Sequence, residues 1–186
     1  KAAFVLLSGP GAGVAGAARI AQASSFSDVI TFDMGGTSTD VALVVNGRVP
    51  LTSSRDVAGL PCGTSMVDVE TVGAGGGSIA WVDSAGALKV GPRSVGADPG
   101  PAAYCRGGSE ATVTDANLVL GCFGVDTLLG GTFILDPTAS ARAINDRVAK
   151  RLDMGLDEAA LGIIRVANAN MVRAVRVVSI QRGFDP

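Results

Sequence analysis

The chain has 186 residues, of which 47% are hydrophobic, 17% charged and 4% aromatic, and its formal net charge is −2. This composition suffices for a folded core, while the absence of histidine excludes Ser-His-Asp catalysis, Cys-His catalysis and histidine-ligated metal from these residues. Without a basic block or an apolar run of about 18 residues, neither nucleic acid nor a membrane is an expected partner. We therefore expect one globular domain or a piece of a larger one.

The three cysteines, Cys62, Cys105 and Cys122, are widely spaced and form no CxxC pair. A zinc ribbon or a thioredoxin-type site is therefore not expected, and reduced cysteines in the cytoplasm are the default.

The first third of the chain predicts a helix followed by a strand hairpin. An Ala-rich helix is expected from Ser8 to about Ser24, with a face of glycine and alanine that permits close approach of another backbone or a ligand. Asp28–Met34 predicts a buried strand and Thr39–Val45 a second one. The Asn46-Gly47 pair is a strong hairpin signal, so Arg48–Ser54 is expected as a third, antiparallel strand. Residues 28–54 would form one hairpin unit.

The middle third, residues 55–113, is a glycine-rich stretch too long for an ordinary connection, so we expect an ordered functional insert. Within it, Trp81-Val82 and Leu88–Val90 could pair across a turn.

The remaining residues, 114–186, are expected to be mainly helical, beginning with a short helix capped by Thr114-Asp115. Asp136 should cap a second helix from Pro137 to Leu152. Asp157 should cap a longer helix that ends near Gly183. The expected apolar stripe of this helix consists of Leu161, Ile164, Val172, Val175 and Val178.

The sharpest chemical signal is the stretch Asp33-Met34-Gly35-Gly36-Thr37-Ser38-Thr39-Asp40. An acidic residue at the end of a strand meets two glycines, which let the backbone pass close to a phosphate and let successive N–H groups form an anion nest. Asp33 could hold water on Mg²⁺ or orient an attacking oxygen. A glycine hairpin with a hydrogen-bonded aspartate is the alternative without ligand chemistry. The arrangement resembles a phosphate-binding hairpin of the actin and sugar-kinase ATPase superfamily.

Six residues of this stretch have an expected role. Asp33 is the candidate catalytic residue and the candidate Mg²⁺ residue, acting through water. The candidates for contact with a nucleotide phosphate are Gly35, Gly36 and Thr37, with Thr39 and Asp40 supporting the loop by hydrogen bonds.

A second glycine cluster is a candidate for contact with substrate. Gly75, Gly76 and Gly77 exclude side chains from a surface, Ser78 follows them, and the Arg93 guanidinium could bind a phosphate or carboxylate. On spacing alone, buried turns explain these residues equally well.

Several long motifs in fixed order resemble the hydantoinase A/5-oxoprolinase family. They are Ser-Gly-Pro-Gly-Ala-Gly-Val-Ala-Gly-Ala (8–17), Phe-Asp-Met-Gly-Gly-Thr-Ser-Thr-Asp (32–40), Val-Gly-Ala-Gly-Gly-Gly-Ser-Ile (72–79), Val-Gly-Pro-Arg-Ser-Val-Gly-Ala-Asp-Pro-Gly-Pro-Ala (90–102), Thr-Val-Thr-Asp-Ala-Asn-Leu-Val-Leu-Gly (112–121), Leu-Gly-Gly (129–131) and Arg-Gly-Phe-Asp-Pro (182–186). The resemblance implies an α/β fold: part of an actin-like ATPase lobe, which is ribonuclease H-like, with a glycine-rich insert. It also implies ATP and Mg²⁺ as cofactors and ATP-driven opening of a cyclic amide such as hydantoin or 5-oxoproline.

The resemblance further implies that ATP phosphorylates the amide oxygen and that a B-type subunit or domain completes hydrolysis. Two alternatives stay open: an acetone- or acetophenone-type carboxylase subunit using the same ATP logic, and a non-catalytic actin-like module. Relatives carry a phosphate loop before this segment and an adenosine segment after it, so these residues alone should be inactive. Apolar surface left uncovered favours self-association into a homo-oligomer.

Two positions depart from the family pattern. Glu70 stands where many relatives have His or Asn, and Cys105 stands where Gly is commoner. Cys105 is expected to be a packing change and not a nucleophile, because no His or Lys nearby would activate it.

Overall fold

A computed structural model describes residues 8–57, 59–122 and 134–185 of the chain as a mixed α/β structure. Five α-helices are described: α1 Ser8–Ala23, α2 Val113–Val119, α3 Pro137–Ile144, α4 Lys150–Leu152 and α5 Leu156–Val178. The nine described strands are β1 Val29–Met34, β2 Thr39–Val44, β3 Leu51–Thr52, β4 Arg55–Val57, β5 Leu60–Cys62, β6 Met66–Val67, β7 Glu70–Val72, β8 Ser78–Val82 and β9 Leu88–Ser94. Among these helices, none is long and apolar enough to cross a membrane.

The described residues divide into two compact units. The first lies within residues 1–33, 40–71 and 173–186, and the second within residues 34–39 and 72–172. The predicted Leu-Gly-Gly motif at 129–131 lies outside the described residues.

The first unit is organised around β2, the central strand of a three-stranded sheet with the order β1-β2-β7. Val14 and Ala18 of α1 pack against Ala42 and Val44 of β2. The Ala-rich helix is therefore confirmed, and its buried face covers the middle of the sheet.

The first predicted strand forms at Val29–Met34, but the expectation that it is buried is wrong for its last three residues, which are exposed. Among the described strands, β1 is paired with β2 alone, and its side chains Phe32 and Met34 are 48% and 40% exposed. Thr31 is its buried member, with a hydroxyl that donates to the carbonyl of Ala42 at 3.3 Å. Side chains of a strand are buried only where another element packs on that face of the sheet, and hydrophobic content alone does not reveal this cover.

The Asn46-Gly47 turn forms, but the predicted third strand beside β2 does not. Both turn residues have positive φ, as a type I′ hairpin requires, and Val45 bridges Arg48. Pairing stops there: in the predicted Arg48–Ser54 strand, only Leu51–Thr52 is a strand, and it pairs with β6. Pro50 has no N–H to continue the ladder, and β7 occupies the place beside β2.

The second unit contains the predicted β8–β9 hairpin. Val82 pairs with Leu88, and the carboxylate of Asp83 accepts the N–H groups of Ala85 and Ala87 at 3.0 and 2.8 Å across the turn. Behind the hairpin, a core that includes Ile144, Val148 and Ile163 is fully buried.

The cap of α2 lies two residues earlier than predicted. Thr112, not Thr114, is the cap: its hydroxyl accepts the N–H of Asp115, and the Asp115 carboxylate accepts the N–H of Thr112. This reciprocal capping box leaves Asp115 inside the first turn. The Asp136 cap of α3 is confirmed, since its carboxylate accepts the N–H groups of Thr138 and Ala139. A π-helical turn joins α3 to α4, which ends at Leu152 as predicted.

The stripe predicted on α5 is partly wrong. Leu161 and Val172 are 40% and 55% exposed, while the helix buries a face that includes Ile163, Ala167 and Val178. The described helix begins at Leu156 with Asp157 already in its first turn, and it ends at Val178; a short 3-10 turn then leads to Gly183. Alanines supply much of the buried face, so the positions of the large apolar side chains did not indicate which face is buried.

Candidate functional site

A groove of about 400 Å³ lies in the first unit between α1 and β1. Small side chains of α1, including Gly13 and Ala17, line one wall, and Phe32 and Asp33 of β1 line the other. A Cβ placed on Gly13 would lie 3.6 Å from Asp33 Oδ2, which is an ordinary contact. The small-residue face of α1 therefore leaves open space next to this carboxylate.

The two acidic residues lining this groove differ in what they bind. Asp33 is exposed, and its carboxylate has no hydrogen-bond or ion-pair partner within the described part of the chain. Asp40 is half-buried, and its Oδ1 accepts the hydroxyl of Thr71 at 2.6 Å. Asp33 is thus available to a ligand, whereas Asp40 is held by the protein.

The loop between β1 and β2 belongs to the second unit. Gly35 N–H donates to the carbonyl of Ser38 at 2.9 Å and closes the turn. Gly35, Gly36 and Thr37 are exposed, and a Cβ on Gly36 would meet nothing within 4 Å. The loop consequently presents glycine backbone and the Thr37 hydroxyl to solvent, although the N–H of Gly35 is already donated to Ser38.

Thr39, in contrast, faces inward. It is fully buried, and its hydroxyl donates to the carbonyl of Ala74 at 2.5 Å. This hydrogen bond joins the end of the loop to the start of the glycine cluster and leaves the Thr39 hydroxyl engaged by the protein.

The glycine cluster lies directly against the loop. Gly76 N–H donates to the carbonyl of Gly35 at 3.0 Å, and Gly77 N–H donates to the carbonyl of Gly36 at 2.6 Å. Gly75 is buried, and Ser78 is fully buried. The contacts described for these four residues are made by the protein itself, and the substrate contact expected of them stays a prediction.

Arg93 lies on β9 and is exposed, with no partner for its guanidinium among the described residues. Its neighbour Ser94 pairs with Ser78 across the hairpin. Arg93 therefore stands next to Ser94, the residue that pairs with the last member of the glycine cluster, Ser78.

Thr114 is a contact that the sequence reasoning missed. Its N–H donates to the carbonyl of Gly76 at 2.8 Å, so the beginning of α2 is attached to the glycine cluster. The Thr112-x-x-Asp115 capping pattern was the available signal, since it would have placed Thr114 in the first helical turn.

The structure shows the surroundings of Glu70 and Cys105, the two positions that depart from the family pattern. Glu70 lies half-buried on β7. Cys105 is exposed, and its thiol lies 3.6 Å from a carboxylate oxygen of Asp136. Partial desolvation of the thiol and the neighbouring Asp136 carboxylate raise the pKa of Cys105, which opposes the thiolate form that a nucleophile needs.

Comparisons with known proteins agree on the family. A family model described as hydantoinase/oxoprolinase matches residues 1–186. The chain is 46% identical to caprolactamase subunit alpha from Pseudomonas jessenii, over all of this chain and 27% of that protein. It is 39% identical to the 5-oxoprolinase of Saccharomyces cerevisiae, over 96% of this chain and 14% of that protein.

Two solved structures share the fold. The ATP-dependent caprolactamase from Pseudomonas jessenii matches with a TM-score of 0.85 at 46% identity, covering 94% of this chain and 25% of that one. Nucleotide-free acetone carboxylase also matches with a TM-score of 0.85, at 32% identity and the same coverage. The chain thus spans about a quarter of the length of these proteins, and its α/β fold is the corresponding part of their actin-like ATPase architecture. On the match along its whole length, the chain belongs to the hydantoinase/oxoprolinase family.

Proposed function

We propose that this chain is part of an enzyme that uses ATP to activate a cyclic amide for hydrolysis, as an A-type hydantoinase or 5-oxoprolinase subunit does. The observation that carries the proposal is the exposed carboxylate of Asp33, which has no partner among the described residues and is followed two positions later by an exposed glycine loop. Relatives named caprolactamase and 5-oxoprolinase support a lactam or related ring as the substrate class.

In this proposal, the backbone N–H of Gly36 and the hydroxyl of Thr37 donate to nucleotide phosphate, while Gly35, whose N–H donates to the Ser38 carbonyl, shapes the turn and lets the phosphate approach closely. ATP, when bound, supplies the phosphoryl group that activates the amide oxygen, after which water can open the ring. Asp33 would orient the attacking oxygen, or would hold Mg²⁺ through a water molecule if the ion is bound. Thr39 and Asp40 support the loop through their hydrogen bonds to Ala74 and Thr71.

The residues fit magnesium held through water. Within the described residues, no group of three or more His, Cys, Asp or Glu side chains is arranged to hold a metal ion directly. Mg²⁺ in nucleotide sites commonly keeps several waters and needs only one or two carboxylates, because phosphate oxygens supply further ligands. The exposed carboxylate of Asp33 can meet that requirement.

A ketone carboxylase is the second candidate, because the acetone carboxylase structure has the same TM-score as the caprolactamase structure. The identity to caprolactamase, 46%, exceeds that to the acetone carboxylase, 32%, and that to an acetophenone carboxylase gamma subunit, 42%, and we therefore place the cyclic amide first. For both substrate classes, Arg93 is our candidate for the residue that binds a carboxylate or phosphate group of the substrate.

The test uses the complete parent protein with its B-type partner. Phosphate release from Mg·ATP is measured with hydantoin, 5-oxoproline, caprolactam or acetone, each with and without bicarbonate. Stimulation by a ring amide without bicarbonate supports the hydrolase, and stimulation by acetone only with bicarbonate supports the carboxylase. A protein that no substrate stimulates would leave a non-catalytic actin-like module as the better description.

Asp33→Ala should lower substrate-stimulated phosphate release by at least about a hundredfold while the protein stays folded, because a positioned acid–base or orienting group contributes about that much. The matched control is Asp56→Ala, which removes another exposed carboxylate of the first unit, on β4. Full activity in Asp33→Ala would remove this residue from the mechanism.

A further inference from the structure

The glycine cluster pairs with the loop residue by residue. Gly76 and Gly77 donate their consecutive N–H groups to the consecutive carbonyls of Gly35 and Gly36. All four residues belong to the second unit. These two hydrogen bonds restrict rotation of the peptide planes of Gly35 and Gly36. The side of the loop that faces away from the glycine cluster stays exposed.

Side chains are excluded at this contact. A Cβ on Gly75 would lie 2.7 Å from the Gly35 carbonyl oxygen and 2.8 Å from both the Gly36 carbonyl carbon and the Ser38 nitrogen. These neighbours are backbone atoms of the loop, which could yield only if the loop itself moved. The loop can therefore keep this position only while residue 75 has no side chain.

Two buried hydroxyls fix the cluster in turn. The hydroxyl of Ser78 accepts the N–H of Gly75 at 2.8 Å, and the hydroxyl of Thr39 donates to the carbonyl of the preceding Ala74. Because both side chains are fully buried, water cannot replace these bonds.

The cluster is also attached to rigid elements of the same unit. Thr114 at the start of α2 donates to the Gly76 carbonyl at 2.8 Å, and Val95 after β9 donates to the Gly77 carbonyl at 3.0 Å. The loop is therefore connected through the glycines to both a helix and a hairpin.

We propose that Gly75 and Ser78 are positioning residues that hold Gly35 and Gly36 in the conformation that binds nucleotide phosphate. The cluster acts on the nucleotide loop and not on the ring substrate. This inference rests on the proposed function, which assigns phosphate binding to that loop.

The test compares Ser78→Ala and Gly75→Ala in the complete parent protein with its partner. Ser94→Ala is the matched serine control, because it removes a hydroxyl that accepts the N–H of Gly96 instead. Gly63→Ala is the glycine control, because a Cβ there would meet nothing within 4 Å. Hydrogen–deuterium exchange of the peptide covering residues 34–39 is measured with and without Mg·ATP, alongside kcat and the KM values for ATP and ring substrate.

In Ser78→Ala, exchange in residues 34–39 should become about five- to tenfold faster, as expected when one buried hydrogen bond is lost. The KM for ATP should rise by a similar factor, while the KM for the ring substrate stays within about twofold. Gly75→Ala should give the same pattern more strongly, and both controls should match the wild type.

Unchanged loop exchange in a folded Ser78→Ala protein would overturn the inference. A rise in the KM for the ring substrate with an unchanged KM for ATP would also overturn it, because that result assigns the cluster to substrate binding. If Gly75→Ala does not fold, Ser78→Ala, which adds no atoms, decides. A wild-type protein without substrate-stimulated ATP hydrolysis would refute the proposed function, while the exchange measurement would still decide whether Ser78 holds the loop.

Discussion

Replacing Asp115 by alanine should destabilise the second unit by about 3 kcal/mol, because this buried carboxylate joins three segments of the chain. Asp115 is fully buried, and its Oδ1 accepts the N–H of Ala103 at 2.8 Å and the hydroxyl of Ser140 at 2.7 Å. Its Oδ2 accepts the N–H of Thr112 at 3.0 Å and the hydroxyl of the same residue at 2.6 Å.

The magnitude follows from which donors can find another partner. The hydroxyls of Ser140 and Thr112 can rotate, but the backbone N–H groups of Ala103 and Thr112 cannot, and each buried unpaired N–H costs about 1–3 kcal/mol. Removing the carboxylate also recovers part of the cost of burying a charge, which lowers the sum. A net loss of about 3 kcal/mol is the expected result, and Asp115→Asn, which keeps one acceptor oxygen, should lose less.

Urea unfolding followed by the fluorescence of Trp81 is the assay. Trp81 is the only tryptophan of the chain, and it lies in the same unit, where its indole N–H donates to the carbonyl of Gly91 at 3.0 Å. With a urea dependence of about 2 kcal/mol per M, the midpoint should fall by about 1.5 M. The control Asp157→Ala removes an exposed carboxylate from the first turn of α5 and should change stability by less than about 1 kcal/mol.

A midpoint for Asp115→Ala that equals the midpoint of Asp157→Ala would refute this reasoning. It would mean that the donors around Asp115 find other partners at no cost. Alternatively, the hydrogen bonds to the carboxylate in the folded chain would be no more favourable in free energy than its hydration by water.

Two further predictions concern a helix cap and a pair of glycines. The backbone N–H groups of the first turn of α3 hold the pKa of Asp136 below its usual value, so its stabilising effect should be present above about pH 4 and be lost as the pH falls. Urea midpoints of the wild type and Asp136→Ala should therefore converge in acid, and a difference that persists at about pH 2 would contradict the assignment. Gly91→Ala should be more destabilising than Gly86→Ala: both residues have positive φ, which costs about 1–2 kcal/mol with a side chain, but only a Cβ on Gly91 collides with a backbone oxygen. Equal losses in thermal unfolding would show that backbone conformation alone matters at Gly91.

Much of the local structure could be predicted from the sequence because it depends on neighbours along the chain. The Asn46-Gly47 turn, the β8–β9 hairpin and the Asp136 cap all form between residues a few positions apart. The same holds for the glycine loop after β1, whose closing bond joins Gly35 to Ser38. The family motifs were recognisable for the same reason: each is a continuous run of residues.

The features that could not be predicted depend on partners distant in sequence. Composition did not show that β7 takes the place beside β2, or that the buried face of α5 is made largely of alanine. Both outcomes were decided by packing, because a strand or a helix face is buried only where another element covers it.

The candidate site shows the same division. The sequence alone determined which residues carry the chemistry: an acid, two glycines and a hydroxyl in one short run. Only the tertiary structure decided how they are used. Within the described part of the chain, it leaves the carboxylate of Asp33 without a partner, turns the hydroxyl of Thr39 inward to Ala74, and places Gly75 against the loop, where a Cβ would meet backbone atoms. These differences arise because hydrogen bonds and close contacts between distant segments form only once the chain is folded.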